Sequence, residues 1–211
     1  MKLLIQTLRQ NPIFYVGYLI FAIILAIFCF AIPKSEGFLL VNHYHNRWLD
    51  SFFILFTNLG DGIFSIIIMV FMMIRRKFGW SLQIAVSFLV TGGLVQLIKQ
   101  LAHSPRPQIY FGPQVIHFIH GITRTGYGSF PSGHAATVFA LTTILSLYFP
   151  ARKAVIFFLL MAVLTGFSRI YLSQHFPIDV LAGSAIGMMI STLTYVLIPL
   201  NESAPQSVKL R

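Results

Sequence analysis

The sequence predicts an all-α fold, a bundle of six membrane-spanning helices. Of its 211 residues 56% are hydrophobic and 9% charged, where soluble domains hold roughly a quarter charged. Mostly apolar runs near the about 20 residues needed to cross a bilayer occur six times, at roughly 12–32, 52–74, 80–100, 133–150, 153–173 and 178–199. The fifteen Lys and Arg residues sit in short clusters between these runs rather than along one face. That distribution is a topology signal, not a nucleic-acid surface, despite a net charge of +10.

The first run follows Lys2 and Arg9, as a signal peptide would. It is longer than a signal core of about 7–15 residues, and no small-x-small cleavage site follows before Pro33, so it reads as an uncleaved helix. Residues 33–51 mix Phe38, Tyr44 and Trp48 with His43, His45 and Arg47, a composition suited to the headgroup layer along the outer surface. The fourth and sixth runs open at motif residues taken up below. On the sixth, Gly183 and Gly187 have the small-xxx-small spacing of close packing inside a bundle, favoured here over dimerisation. The stretch 101–131 is the only long loop, and long loops in small domains tend to carry function. Without repeats or low-complexity segments, 1–211 reads as one domain.

With a cytoplasmic N-terminus, the inner segments hold Lys2, Arg9, Arg75, Arg76, Lys77, Arg152, Lys153, Lys209 and Arg211. Outside the residues assigned to chemistry below, the outer side holds only Lys34, Arg47 and Arg124. The positive-inside bias therefore puts both termini in the cytoplasm. The lone Cys29 lies within the first run, so no intrachain disulfide forms and the residue reads as filler. Five acidic residues, Glu36, Asp50, Asp61, Asp179 and Glu202, are too few for a two-metal or paired-carboxylate site. No metal and no cofactor is expected.

Ionisable groups inside membrane helices are costly and point to function. Lys99 ends the third run, His134 opens the fourth, Arg169 closes the fifth and Asp179 opens the sixth. With alternating helix directions all four fall on the outer side. The first stretch, Lys99 to Pro107, carries Lys99 and Arg106 across a helix end, with Pro105 and Pro107 stiffening the exit. In the second, Pro131-Ser132-Gly133-His134, Ser132 suits an N-cap and Gly133 admits a ligand to the backbone, so that helix start is an anion seat. In the third, Ser168 to Asp179, Arg169 offers a planar fork for phosphate oxygens. Pro177 places Asp179 in a first helical turn, within reach of His175, whose tautomer it would orient. A plain Arg169–Asp179 salt bridge is the structural alternative.

In order and spacing the three stretches, K-x6-RP, PSGH and SR-x5-H-x3-D, resemble the type 2 phosphatidic acid phosphatase (PAP2) superfamily at every motif position. The resemblance implies metal-independent phosphoryl transfer at the membrane. His175 is the implied nucleophile, His134 the acid for the leaving oxygen, and Asp179 the partner that orients His175. Lys99, Arg106, Ser132, Gly133 and Arg169 are the implied phosphate ligands. The implied substrate is an amphiphilic phosphomonoester or pyrophosphate such as undecaprenyl diphosphate, phosphatidylglycerophosphate, phosphatidate or a lipid A phosphate.

Further expectations follow for partners and place: membrane lipids around the chain, no nucleic acid, no obligatory protein partner, and a bacterial inner membrane with the site facing outward. The spacing of His117 and His120 could suit a metal, but without Cys or carboxylate company it is read as a loop feature. His103, Tyr110, Phe111, Arg124 and Tyr127 are candidates for the mouth of the site. The competing readings are an anion transporter and a phospholipid-binding protein without turnover.

Overall fold

Every apolar run becomes helix, and no strand forms among the described residues. The structure is a computed structural model that describes residues 2–200; Met1 and 201–211 lie outside them, and with them Glu202, Lys209 and Arg211 of the charge tally. In chain order the helices are α1 (Lys2–Gln10), α2 (Pro12–Ala31), α3 (Lys34–His43), α4 (Arg47–Thr57), α5 (Gly62–Ile74), α6 (Phe78–Ala102), α7 (Pro107–Phe111), α8 (Gly133–Tyr148), α9 (Arg152–Tyr171) and α10 (Pro177–Leu197), with a 3-10 turn at Asn58–Gly60. Local chemistry sets several starts. Asn11 accepts from Phe14 N at 3.4 Å ahead of Pro12, Asn46 from Trp48 N and Leu49 N at 3.0 Å each, and Asp61 from Ile63 N at 3.0 Å.

Four helices, α2, α6, α9 and α10, are single apolar elements long enough to cross a membrane, and α4 with α5 makes a fifth that is bent by 53°. The expectation of one straight helix over 52–74 is corrected at that bend. Asp61 leaves the helical region (φ −72°, ψ 141°) to cap α5, between Gly60 and Gly62. The fourth expected helix, α8, has 16 residues, about 24 Å at 1.5 Å per residue, less than the about 30 Å of hydrocarbon. It is the axis of the bundle. Residues 138–147 are buried without interruption, and α5, α6, α9 and α10 all pack against it.

Residues 33–51, expected along the outer surface, form α3 and the start of α4. Phe38 is fully buried and packs with Ile116, Ala135, Ile170, Phe176 and Val180, while Tyr44 and Trp48 are 70% and 87% exposed, as headgroup anchors are. The α8–α10 contact is backbone on backbone. A Cβ at Gly183 would lie 2.3 Å from Ser132 O, and one at Gly187 would lie 2.1 Å from Ala136 O. The small-xxx-small spacing thus serves the interior of the bundle. Uncharged polar pairs close the deeper helix contacts, with Ser87 Oγ 2.6 Å from Ser191 Oγ and Tyr148 donating to Gln83 Oε1 at 2.6 Å. Lipid-facing residues such as Ile24 and Ile27 on α2 are 63% and 61% exposed.

Candidate active site

The three motif stretches meet where α6, α8, α9 and α10 come together. His103 ends α6 in the left-handed region (φ 40°), its N–H returning to Lys99 O at 3.1 Å. The chain then pairs with the far end of the long loop: Arg106 N donates to Gly126 O at 3.0 Å and Ser129 N to Ser104 O at 3.1 Å. Phe130 N reaches Ser104 Oγ at 2.8 Å. These bonds carry residues 126–130 back beside Arg106 and deliver Ser132 to the start of α8. Ser132 Oγ caps Ala135 N at 3.4 Å, while Ser132 N donates to the Asp179 carbonyl at 2.9 Å and so ties the second stretch to the third.

Beyond α9 the backbone folds around one acceptor. Gln174 N and His175 N both donate to Arg169 O, at 2.9 and 3.1 Å, and Ser173 takes a left-handed φ of 56°. Three outside groups hold this turn. Arg106 Nη1 donates to Gln174 O at 3.0 Å, Asn42 Nδ2 to Ser173 Oγ at 2.8 Å, and Thr123 Oγ1 to Leu172 O at 3.3 Å. Pro177 then opens α10, and Asp179 Oδ2 bonds back to Phe176 N at 2.9 Å, a capping arrangement that fixes the carboxylate one turn from His175.

Asp179 Oδ2 lies 3.6 Å from His175 Nδ1, an ion-pair separation longer than a hydrogen bond, and Nδ1 has no hydrogen-bond partner. The same oxygen accepts Ser129 Oγ at 2.5 Å. Arg169 is not bridged to Asp179: its Nη1 donates to Thr57 Oγ1 on α4, and its buried Nε is unpaired. Among the described residues no carboxylate lies within ion-pair distance of Lys99, Arg106 or Arg169. Arg106, Arg169, His175 and Asp179 are buried, with Lys99 and His134 partly exposed.

The field there is strongly positive. Lys99 has Arg106, Arg124 and Arg169 as like-charged neighbours and Asp179 as its opposite, and His134 feels Arg169, His175, Arg124 and Lys99. Burial pushes the His175 imidazole down to about 4 against the opposing pull of Asp179, leaving the ring neutral at pH 7. Burial first, and Arg124 second, lowers the Arg106 guanidinium. Fixed cations, a helix N-terminus, and a neutral imidazole beside a carboxylate are together chemically suited to receive an anion.

Of the loop candidates, His117 bonds outward through Nε2 to Asp50 Oδ1 at 2.8 Å, where the Tyr171 hydroxyl also donates at 2.7 Å. It stacks on His45 with centroids 3.9 Å apart, so it buttresses α4 and α9. No group of three or more His, Cys, Asp or Glu among the described residues could hold a metal. Tyr110 and Phe111 pack on Phe176 next to His175. His103 stacks on Tyr127 at 4.6 Å between centroids, and the exposed Arg124 extends the positive field outward. Thr57, Ser129, Asn42 and Thr123 escaped the sequence reading. The signal for Thr57 was present, since Asn58-Leu-Gly-Asp-Gly is a helix-break pattern placed just ahead of an apolar run.

The chain is similar to known proteins in both sequence and fold. Residues 80–203, more than half the chain, match the sequence model of the PAP2 superfamily. The lipid A 1-phosphatase of Rhizobium etli is 27% identical over 161 residues, covering 68% of each chain. The undecaprenyl-diphosphatase BcrC of Bacillus subtilis is 28% identical over 154 residues, 72% of this chain and 76% of its own. The crystal structure of a transmembrane PAP2 type phosphatidylglycerolphosphate phosphatase from Bacillus subtilis superposes with a TM-score of 0.66 at 26% identity, covering 86% of this chain and 94% of that one.

Proposed function

The chain belongs to the PAP2 superfamily, and from that premise we propose that it is a metal-independent lipid phosphatase acting through a phosphohistidine on His175. The observation that carries the reading is the set Lys99, Arg106 and Arg169, which among the described residues has no carboxylate within ion-pair distance, together with the buried, neutral His175. Phosphoryl transfer asks chiefly for positioning and charge stabilisation, which cations and a helix N-terminus provide.

In the proposed reaction Lys99, Arg106, Arg169 and the start of α8 at Ser132 and Gly133 bind the phosphate oxygens. His175 Nε2 attacks phosphorus, and the P–O bond to the lipid breaks. The leaving oxygen keeps the bonding pair and takes a proton from His134. The Nδ1–H of His175 turns to Asp179, which offsets the charge gained by the ring. Water then attacks phosphorus, gives its proton to His134 and releases inorganic phosphate with the electron pair returning to Nε2. The similar proteins act, by name, on lipid A, undecaprenyl diphosphate and phosphatidylglycerolphosphate, which supports an amphiphilic phosphate as substrate.

The apolar helices and the transmembrane relative make the chain a membrane protein. The charge bias of the connecting segments supports an inner-membrane topology with cytoplasmic termini and an outward-facing site. The deeper polar pairs Ser87–Ser191 and Tyr148–Gln83 are uncharged and bonded to each other, so they add no support for the transport reading.

The test is phosphate release from a panel of lipid phosphates by purified protein in a chelator, beside His175→Ala and His134→Ala. Chelator-resistant turnover, abolished by His175→Ala and with labelled phosphate trapped on His175 in the wild type, is expected. Full activity in His175→Ala overturns the mechanism. A cysteine placed within 110–125, in a Cys29-free background, should react with an impermeant reagent on intact cells; protection there reverses the topology.

A further inference from the structure

The feature that the motif stretches leave unexplained is Ser129. It is fully buried, it precedes the PSGH stretch, and its hydroxyl donates to Asp179. Its backbone N–H is held by Ser104 O at 3.1 Å, inside the first stretch, while its Oγ donates to Asp179 Oδ2 at 2.5 Å, inside the third. Three residues on, the Asp179 carbonyl accepts Ser132 N from the second stretch at 2.9 Å. Ser129 is therefore joined to all three motif stretches by one hydrogen bond each or by direct chain continuity.

The oxygen matters as much as the bond. Asp179 Oδ2 faces His175 Nδ1 at 3.6 Å, and the Phe176 N–H alone leaves the carboxylate free to swing about its own axis. Ser129 supplies a second donor to that oxygen, so Oδ2 stays on the imidazole side. Closing the remaining gap takes a shift of about 0.7 Å to reach an ordinary hydrogen bond. His175 makes that shift worthwhile when it becomes cationic during transfer, as the imidazole of a hydrolase triad does.

Resting on the reaction proposed above, we propose that Ser129 is a positioning residue, which acts through Asp179 to hold the carboxylate where His175 Nδ1 meets it in the transition state. Ser129 itself neither touches the phosphate nor transfers a proton; its O–H stays intact throughout. The chemistry runs through His175 and His134, and Ser129 sets how well the Asp179 charge is placed when His175 needs it.

Two measurements test this. In kinetics on a lipid phosphate, Ser129→Ala should lower kcat about 10- to 100-fold, the usual loss for an outer partner of a reacting group, with KM within about 2-fold. Ser129→Thr, which keeps the hydroxyl, should recover most of the loss. In an Asp179→Asn background Ser129→Ala should add nothing. An equal loss in both backgrounds, or wild-type kcat in Ser129→Ala, overturns the proposal. Should Ser129→Ala fail to fold in detergent, Ser129→Cys, near in volume and a weak donor, carries the same comparison.

The second measurement needs no turnover. In protein labelled with 15N-histidine and saturated with vanadate, the His175 Nδ1 proton should resonate downfield in the wild type and move upfield in Ser129→Ala. An unmoved resonance overturns the positioning role. A wild type that hydrolyses no lipid phosphate, yet shows the Ser129-dependent resonance, keeps that role and removes the phosphatase reading instead.

Discussion

Arg106 and Gln174 stand 68 positions apart in the chain and are joined by one hydrogen bond, Nη1 to the carbonyl oxygen at 3.0 Å. Gln174 directly precedes His175, so a cation of the first motif stretch holds the backbone that presents the proposed nucleophile of the third. Arg106 thus has a structural bond on one side of its fork and free donors on the other.

Arg106→Lys should separate these two jobs. Lysine keeps the charge but has no fork, and leaves the buried Gln174 carbonyl without its donor, at a cost of about 1–3 kcal/mol. A lower thermal midpoint in detergent and a drop in kcat/KM of at least about 100-fold are expected, the latter worth about 2.7 kcal/mol of transition-state stabilisation. Unchanged thermal stability contradicts the bond's structural role.

Thr57 should matter although it belongs to no motif. Its hydroxyl accepts from Arg169 Nη1, and the guanidinium has no other side-chain partner among the described residues. Thr57→Val removes the acceptor at nearly constant volume and should cut kcat/KM about 10-fold, within the range for outer partners of binding groups. Thr57→Ser should stay near wild type. Equal activity of Thr57→Val and wild type would show that Arg169 holds its position unaided.

The glycine pair on α10 predicts a graded effect. An added methyl at Gly187 meets Ala136 O at 2.1 Å, and at Gly183 it meets Ser132 O at 2.3 Å, so either alanine must push α8 and α10 apart. Such overpacking costs about 1–3 kcal/mol, read as a fall in thermal midpoint for both variants. Gly183→Ala should also lose more activity than Gly187→Ala, because it displaces Ser132 directly. A Gly183→Ala protein with full activity and stability would place the contact elsewhere.

The pH response of His175 has a definite sign. Burial favours the neutral ring, lowering the folded value to about 4, against about 6.5 for an unfolded chain. Between those values the unfolded state binds the proton more readily. The stability contributed by the neutral imidazole is therefore complete above about 6.5 and is lost as pH falls toward 4. NMR titration of 15N-histidine protein without phosphate should give a His175 midpoint near 4, rising when inorganic phosphate is added. A phosphate-free midpoint above 6 contradicts the burial account.

The amino-acid sequence by itself determined the membrane class, the existence of the helices, the order of three charged stretches and their common end of the bundle. It could do so because apolar run length, cap residues and the cost of charge in lipid are local quantities, readable within twenty residues or so. The Gly183/Gly187 spacing was legible for the same reason, as was the N-cap at Ser132.

The tertiary structure alone decided which groups hold the charged residues in place. Thr57 reaches Arg169 across 112 positions, Ser129 reaches Asp179 across 50, and Asn42 reaches Ser173 across 131. No periodicity records such partners, because each is chosen by how helices pack and where a helix breaks. The 53° bend at Asp61 is the clearest case: it read as one apolar run, yet it brings Thr57 to Arg169 and Gly60 against the His134 backbone. The same holds for the 3.6 Å between His175 and Asp179, where sequence spacing supplied the pair and only packing set the distance.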